Sequence, residues 1–413
     1  MRQPSSTLAT LPEPARQVPV VLDCDVCVIG GSCTGVFAAV RAARLGARVA
    51  LVEKQNCFGG TATAGLVNVW HTLDDLTGDR RIISGLTAEV LERLRKREAV
   101  TDLPYARGAH FLNSEELKIE LDELVLEHDI TPLLHTLYVA PVVEEGRLAG
   151  IIVENKDGRQ AIRARQFIDA SGEGDLARDL GLPGQDDVPP SPALKELAGG
   201  GTPISPSPDP GEGAGGGTLL QPPTTCAKIL GLNTLGDWDW QAAVREHGAE
   251  FGLEPDWGWG NSCPGAPDLQ MRADNHLFGV DGSRATDLTR AEIEGRRKVR
   301  ALLDIIRTYG PPSAAVVLAD LAAAVGIRET ARLAASYRLT GEDILYGRRF
   351  DDAIANGTYP VDIHHANGPG LTFYYLDGQK RVVRERGHEG ELSRWREETS
   401  ENPSCYQIPL RCL

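Results

Sequence analysis

The residues best placed to do chemistry early in the chain are Gly30, Gly31, Ser32 and Gly35, followed at a distance by Glu53. They stand in the stretch DVCVIGGSCTGVFAAVRAARLGARVALVEK, from Asp25 to Lys54. A turn so bare of bulky side chains lets backbone N–H groups approach an anion closely, and a helix opening there adds the positive end of its dipole. Glu53 follows Gly30 at close to the spacing of about 20 residues at which a carboxylate accepts from a ribose hydroxyl. The G-x-G-x-x-G pattern is met at Gly30 and Gly35, with Ser32 in place of the middle glycine. Serine is small, and its hydroxyl can itself donate to a phosphate. The chemistry expected here is recognition of a dinucleotide's pyrophosphate and ribose.

These residues need a strand before them and a helix after them. The β-branched run Val26–Ile29 predicts the strand, the small-residue run Cys33–Leu45 predicts the helix, and Gly46 ends it. The apolar run Arg48–Val52 then predicts a second strand ending at Glu53, which completes a βαβ unit. A second glycine-rich loop comes at once, from Lys54 through Gly59, Gly60, Thr61 and Thr63 to Gly65. It suits a backbone laid along a long cofactor, with the threonine hydroxyls on phosphate or ribityl oxygens; the alternative is an ordinary Gly/Ala turn. Residues 84–130 read as helices, with Leu86, Val90, Leu91 and Leu94 on one face and Leu117, Leu121, Leu124 and Val125 on another. From 130 to 175 the period is that of strands, with hairpin turns at Glu144–Arg147 and Lys156–Arg159. The last strand, Gln166–Ile168, delivers Asp169-Ala-Ser-Gly172-Glu-Gly-Asp175, where a carboxylate on a small-residue turn can bind cofactor hydroxyls or cap the next helix.

Farther along, Arg328 offers a fixed bidentate fork for a substrate carboxylate or reduced cofactor, against a structural ion network with its neighbours Glu329 and Arg332. His364 and His365 end a strand and so point to opposite faces, which excludes a chelating pair. One of them, taken as His364, is a candidate acid or base; each alone is otherwise structural. Trp238, Trp240, Trp257 and Trp259 line a pocket or form the core of a loop-rich cap. Asp287 and Glu292 read as a capping box, and Gly295 in the helix after them suggests close approach of another element. Of the eight cysteines, Cys24 and Cys27 form a lone C-x-x-C inside the first strand, where packing is the expected role. Cys33 sits in the first helical turn, where the dipole is expected to lower its pKa, although a space-filling role suits the place better. No metal site is expected.

Taken together, VIGGSCTGVFAAVRAARLGARVALVEK, FGGTATAG and the Asp169–Asp175 run resemble the FAD-dependent oxidoreductase family, within a grouping that includes heterodisulfide reductase A-like flavoproteins. GIRETAR and RRFDDA, around Arg328 and Arg348, extend the resemblance across most of the chain. It implies a glutathione-reductase-type α/β fold, a Rossmann-like FAD-binding domain of parallel sheet and β-meander interleaved with an α+β cap. It implies FAD as cofactor, with Gly30, Gly31, Ser32 and Gly35 on the pyrophosphate and Glu53 on the adenosine ribose. Lys54, Gly59, Gly60, Thr61 and Thr63 would run toward the ribityl and flavin end, where Asp169, Gly172 and Asp175 return. An iron–sulfur cluster occurs in some relatives, but the C-x₂-C-x₂-C run it requires is absent from this sequence. The family pattern continues after a strand like Tyr406–Pro409 with an Ala-Gly-Arg turn and a glycine-opened helix, so the chain reads as truncated before that FAD-binding segment.

The expected organisation is a disordered lead-in over 1–19, an FAD-binding domain of 20–85 plus 135–182, and a helical insertion over 86–134. A flexible Pro/Gly-rich segment over 183–217 and a cap or substrate domain over 218–413 complete it. A net charge of −15 argues against nucleic acid or anionic membrane as partner, and no run reaches the roughly 18 apolar residues of a membrane span. The N-terminus lacks the apolar core of a signal peptide, so the cytoplasm is the expected compartment. The expected partners are a small-molecule substrate and an electron acceptor; the oligomeric state is not legible. The expected function is hydride or electron transfer between substrate and flavin, with a noncatalytic FAD- or nucleotide-binding protein and an NAD(P)-dependent dehydrogenase as the competing readings.

Overall fold

The computed structural model describes residues 9–103, 108–184, 220–330, 332–399 and 401–413. Nearly all of the Pro/Gly-rich segment expected at 183–217, and residues 1–8 of the expected lead-in, lie outside the described residues. Strands β1 (Val20–Ile29) and β2 (Val49–Val52) flank helix α1 (Cys33–Arg44). Short strands β3 (Val69–Trp70), β4 (Val100–Leu103) and β5 (Ala109–Leu112) follow, with α2 (Leu86–Lys96) ahead of β4. Helix α3 (Ser114–Leu126) leads to β6 (Thr131–Leu133), β7 (Leu137–Glu144), β8 (Arg147–Asn155), β9 (Gly158–Asp169) and the short α4 (Asp175–Asp179). Next come β10 (Thr224–Leu230), α5 (Trp240–His247), β11 (Gly258–Cys263), β12 (Ala266–His276), α6 (Ala285–Tyr309), β13 (Val317–Leu321) and α7 (Gly341–Leu345). The chain closes with β14 (Ala353–Gly357), the run β15 (Val361–His364), β16 (Leu371–Tyr374), β17 (Gln379–Val383) and β18 (Glu391–Arg394), and then β19 (Tyr406–Pro409).

Two compact units divide the chain. Within the described residues the first holds 9–60, 118–184 and 332–334, and the second holds the remainder. The first unit is built on a sheet of order β6-β2-β1-β9-β8-β7, parallel from β6 to β9 and antiparallel beyond. Val28 of β1 pairs with Leu51 on one side and Ile168 on the other, which puts the ends of β1, β2 and β9 level. Central parallel strands bury both faces, and Cys27, Val28, Ala50, Leu51 and Val52 are accordingly all buried. Helix α1 is capped by Ser32, whose Oγ accepts from Gly35 N, and ends where Gly46 takes φ +89°.

The second unit holds antiparallel sheets of order β11-β12-β10-β13 and β15-β16-β17-β18, a three-stranded sheet β3-β5-β4, and the pair β14-β19. Along α6, Ala291, Gly295, Val299, Leu302 and Ile306 are buried. A Cβ on Gly295 would stand 1.8 Å from Thr225 Oγ1, so the close approach expected at this glycine is real and its neighbour is β10. Trp238 and Trp240 pack against the core under α6, and Trp257 and Trp259 pack against a second apolar cluster around Phe111 and Met271. Among the described residues no helix is long and apolar enough to cross a membrane.

Three local expectations are corrected. The region 84–130 is not helical throughout: β4 and β5 separate its two helices. Strand β5 is buried at every position, so it shows no alternation by which a strand could be told from a helix. The capping box expected at Asp287 is not formed, because α6 already begins at Ala285. There Asp287 accepts from Asp281 N and Glu292 from Val325 N, so tertiary donors have claimed both carboxylates. A capping box does form at Thr340 and Asp343, opening α7. The final strand before the Asp169 turn extends over Gly158–Asp169 rather than beginning at Gln166.

Candidate functional site

In the first unit the glycine turn lies at the carboxyl end of β1, where Gly30 N donates to Val52 O and Ala170 N to Ile29 O. Gly30 has φ +100°, and a Cβ there would stand 2.2 Å from Ala170 O. A Cβ on Gly31 would meet Phe58 Cδ1 at 2.4 Å, and one on Gly35 would meet Gly30 O at 1.9 Å. The three glycines are therefore demanded by packing of the turn on the residue after β9, of Phe58 on the turn, and of α1 on the turn. Ser32, in the middle position, needs no such closeness. Its Oγ accepts from Gly35 N at 3.3 Å and keeps its own hydrogen to donate. By helix geometry the N–H groups of Cys33 and Thr34 have no intrahelical acceptor, and the first turn of α1 carries no acidic residue. An anion there meets the positive end of the helix dipole.

Glu53 closes the back of the turn. Its carboxylate is buried and accepts from Gly31 N at 2.6 Å and from Gln55 N at 2.7 Å. Each oxygen retains a further lone pair for a ribose hydroxyl. The second glycine loop reaches the same place: Gly59 N donates to Gly31 O at 2.8 Å, and Gly60 lies against Ser32. Lys54 is exposed and stands 3.7 Å from Glu173. The fold thus gathers Gly30, Gly31, Ser32, Gly35, Glu53, Gly59 and Gly60 around one helix N-terminus, with Lys54 held toward the Asp169–Asp175 turn. Thr61 and Thr63 belong to the second unit, where Thr61 O accepts from Val67 N and Thr63 is buried.

Of the two roles open to Asp169, the geometry displays capping. Its Oδ1 accepts from Ser171 N and Oγ, and its Oδ2 from Ala177 N in the first turn of α4. Asp175 pairs with Arg178, and Gly172, with φ +85°, has open space where a Cβ would stand. The expected depression of the Cys33 pKa is overturned. Burial outweighs the helix dipole and pushes this thiol up to about 12, while its Sγ lies 3.5 Å from Gly59 O. Cys24 and Cys27 are buried free thiols whose pKa values burial raises, as suits packing residues.

The second unit brings Arg328 and His364 to the same tryptophan. Arg328 Cζ lies 5.8 Å from the Trp257 ring, and the His364 ring meets it edge-on at 5.3 Å. Arg328 Nη1 donates to Pro222 O at 2.7 Å and to Thr224 Oγ1 at 2.9 Å, and burial lowers its pKa. His364 Nδ1 lies 2.6 Å from Nε2 of His276, whose Nδ1 is 3.0 Å from Asp256 Oδ1. Asp256 is buried and also accepts from the backbone N–H groups of Trp257, His276 and Gly370. Burial alone raises its pKa, but these bonds, with His276 foremost, hold it below the usual carboxylate value. Burial lowers the pKa of His276 against the pull of Asp256. It takes His364 down to about 4, opposed by the nearby Asp362 and reinforced by Arg328. His365 points the other way, with Nδ1 against Pro369 O and Nε2 against Thr372. Sequence reasoning missed Asp256 and His276. No spacing relates Asp256, His276 and His364; strand packing alone makes them neighbours. Among the described residues no group of three His, Cys, Asp or Glu side chains is arranged to hold a metal ion.

A family model described as FAD dependent oxidoreductase matches residues 25–185 and 214–413. A digeranylgeranylglycerophospholipid reductase 2 of Methanothermobacter thermautotrophicus is 28% identical over 167 residues, 38% of this chain; the chain spans 42% of that relative's length. Among solved structures, the THI4 protein of Thermovibrio ammonificans is similar at 19% identity and a TM-score of 0.29, over 38% of this chain and 61% of the other. A geranylgeranyl bacteriochlorophyll reductase-like protein of Thermoplasma acidophilum is similar at 12% identity and a TM-score of 0.41, over 74% and 66%.

Proposed function

The chain belongs to the FAD dependent oxidoreductase family, and from that premise we propose that it moves hydride or electrons between a small-molecule substrate and flavin and passes them to a second acceptor. The observation that carries this reading is the anion-ready N-terminus of α1, with Glu53 behind it and two glycine loops closed on it. FAD bound there supplies the redox chemistry. The chain's own part is to hold it. The N–H groups of Cys33 and Thr34 and the Ser32 hydroxyl meet the pyrophosphate, Glu53 accepts from the ribose, and the side-chain-free loop at Gly59 and Gly60 admits the cofactor closely. Within the family we place the chain with the heterodisulfide reductase A-like flavoproteins, supported by FGGTATAG directly after the βαβ unit. We place the reaction in the cytoplasm on a small molecule rather than on nucleic acid; the net charge of −15 supports the latter half.

The test is direct. Purified protein is expected to be yellow, with FAD released on denaturation; a colourless preparation that neither contains nor takes up flavin would sink the reading. Glu53→Gln separates the roles of the carboxylate, since it keeps one acceptor for the loop and removes the charge. We expect about a tenfold loss in FAD affinity with the fold retained, read by flavin absorbance after dialysis.

A further inference from the structure

Five polar groups of the second unit form one line. Asp256, ionised, accepts the Nδ1–H of His276, so His276 Nε2 carries a lone pair and accepts the Nδ1–H of His364. That leaves a bare lone pair on His364 Nε2. It faces Asp362 Oδ1 across 3.7 Å, and this oxygen is buried without a hydrogen-bond partner among the described residues. Two buried acceptors face to face are costly until a proton comes between them. The other carboxylate oxygen, Oδ2, accepts from the Tyr359 hydroxyl at 2.8 Å, and Tyr359 is 44% exposed. Trp257 stacks on His276 at 5.5 Å and covers the edge of His364, so the inner end is dry while the outer end meets solvent.

We propose that Asp256, His276, His364, Asp362 and Tyr359 form a proton relay, entered at the Tyr359 hydroxyl, that takes up a proton from a protic small molecule in contact with Tyr359 and can return it. The class of molecule is one with an O–H or N–H that ionises. In the uptake direction that O–H or N–H bond breaks, its electron pair stays on the O or N, and the proton bonds to Tyr359 Oη, while the hydrogen already on Oη moves to Asp362 Oδ2. The neutral carboxyl turns about its Cβ–Cγ bond and passes the proton to His364 Nε2. The Nδ1 hydrogen of His364 then bonds to His276 Nε2. One proton has moved, no electrons pass along the line, and the resulting imidazolium of His276 lies against the Asp256 carboxylate. Burial, reinforced by the positive charge of Arg328, disfavours an imidazolium at His276, so the proton is not retained and the line can run in reverse. Tyr359 is the entry group of the line; Asp256 and His276 position and receive through it.

The experiment uses the full chain labelled with 15N-histidine, with and without FAD, and needs neither substrate nor turnover. Near neutral pH the rings of His276 and His364 are both expected as neutral Nδ1–H tautomers. Exchange of their ring N–H protons with water is expected to slow about tenfold or more in Tyr359→Phe and in Asp362→Asn, with amide exchange in β12 unchanged. An Nε2–H tautomer at either histidine, or wild-type exchange rates in both variants, would overturn the relay. Should Tyr359→Phe fail to fold, Asp362→Asn and the wild-type tautomers carry the decision. Flavin absorbance in the same samples reports the oxidoreductase reading separately: loss of FAD binding with the tautomers intact removes that reading and leaves the proton line standing.

Discussion

At the scale of single residues, the glycine turn divides into positions that packing demands and one that it leaves free. Gly30, Gly31 and Gly35 cannot carry a Cβ without striking Ala170, Phe58 and the turn itself, whereas Ser32 caps α1 where the family pattern places a glycine. Ser32→Ala is therefore expected to lower stability by about 1 kcal/mol through loss of the cap, measured by urea denaturation of the FAD-free protein. Gly30→Ala combines a left-handed φ with a 2.2 Å clash and is expected to abolish FAD retention; retention at the wild-type level would show that the turn can rearrange. Cys33 illustrates a competition of two effects. The helix dipole favours its thiolate, but burial wins and lifts the thiol to about 12. It should consequently resist alkylation at pH 8, when exposed thiols react, as peptide mapping after iodoacetamide treatment would reveal.

At the scale of elements, α6 is held to β10 by the absence of a side chain. Gly295→Ala would drive a methyl to 1.8 Å from Thr225 Oγ1, and Thr225 is itself buried with that oxygen unpartnered among the described residues. The expected cost is about 1–3 kcal/mol, seen as a lowered Tm. Thr225→Ala in the same chain should recover part of it by removing the hydroxyl that the new methyl meets. Much of this level was legible in the sequence. Helix α1 and strand β2 lie within a residue of where composition and Gly46 put them, and β1 ends at Ile29 as expected but begins at Val20 rather than Val26; a central parallel strand and a small-residue helix leave strong local signatures. Strand β5 was not legible because a short strand buried on both faces leaves no period of two, and β4, exposed at both Thr101 and Asp102, shows no alternation either.

At the scale of the whole molecule, the buried histidines tie stability to pH. An unfolded histidine takes up a proton near pH 6.5, whereas folded His364 stays neutral until about 4. Between those values the unfolded chain binds more protons, so stability falls as pH drops from about 6.5 toward about 4. The loss from this residue is about 3 kcal/mol, on the order of 1.4 kcal/mol per unit. The lowered pKa of Asp256 adds a second loss, which begins only as pH falls through the range of ordinary carboxylates. Denaturation midpoints at pH 7 and pH 5 should differ accordingly, and His364→Gln should flatten the difference; a wild-type midpoint that rises toward pH 5 contradicts a buried neutral His364.

The sequence alone determined the βαβ unit, the anion-ready turn and the acid behind it, since strand, turn and helix there are neighbours in the chain and each obeys a local rule. The candidate pair Arg328 and His364 was also legible, but only as residue types able to act. Their company was decided by tertiary structure. Asp256 and His276 reach His364 because β12, β15 and the segment before β11 fold together, and hydrogen bonds between residues so far apart in sequence leave no spacing to read. The same reason explains the role displayed by Asp169. Its carboxylate could have faced a ligand or the backbone, and the path of the chain into α4 supplied the N–H groups that it accepts.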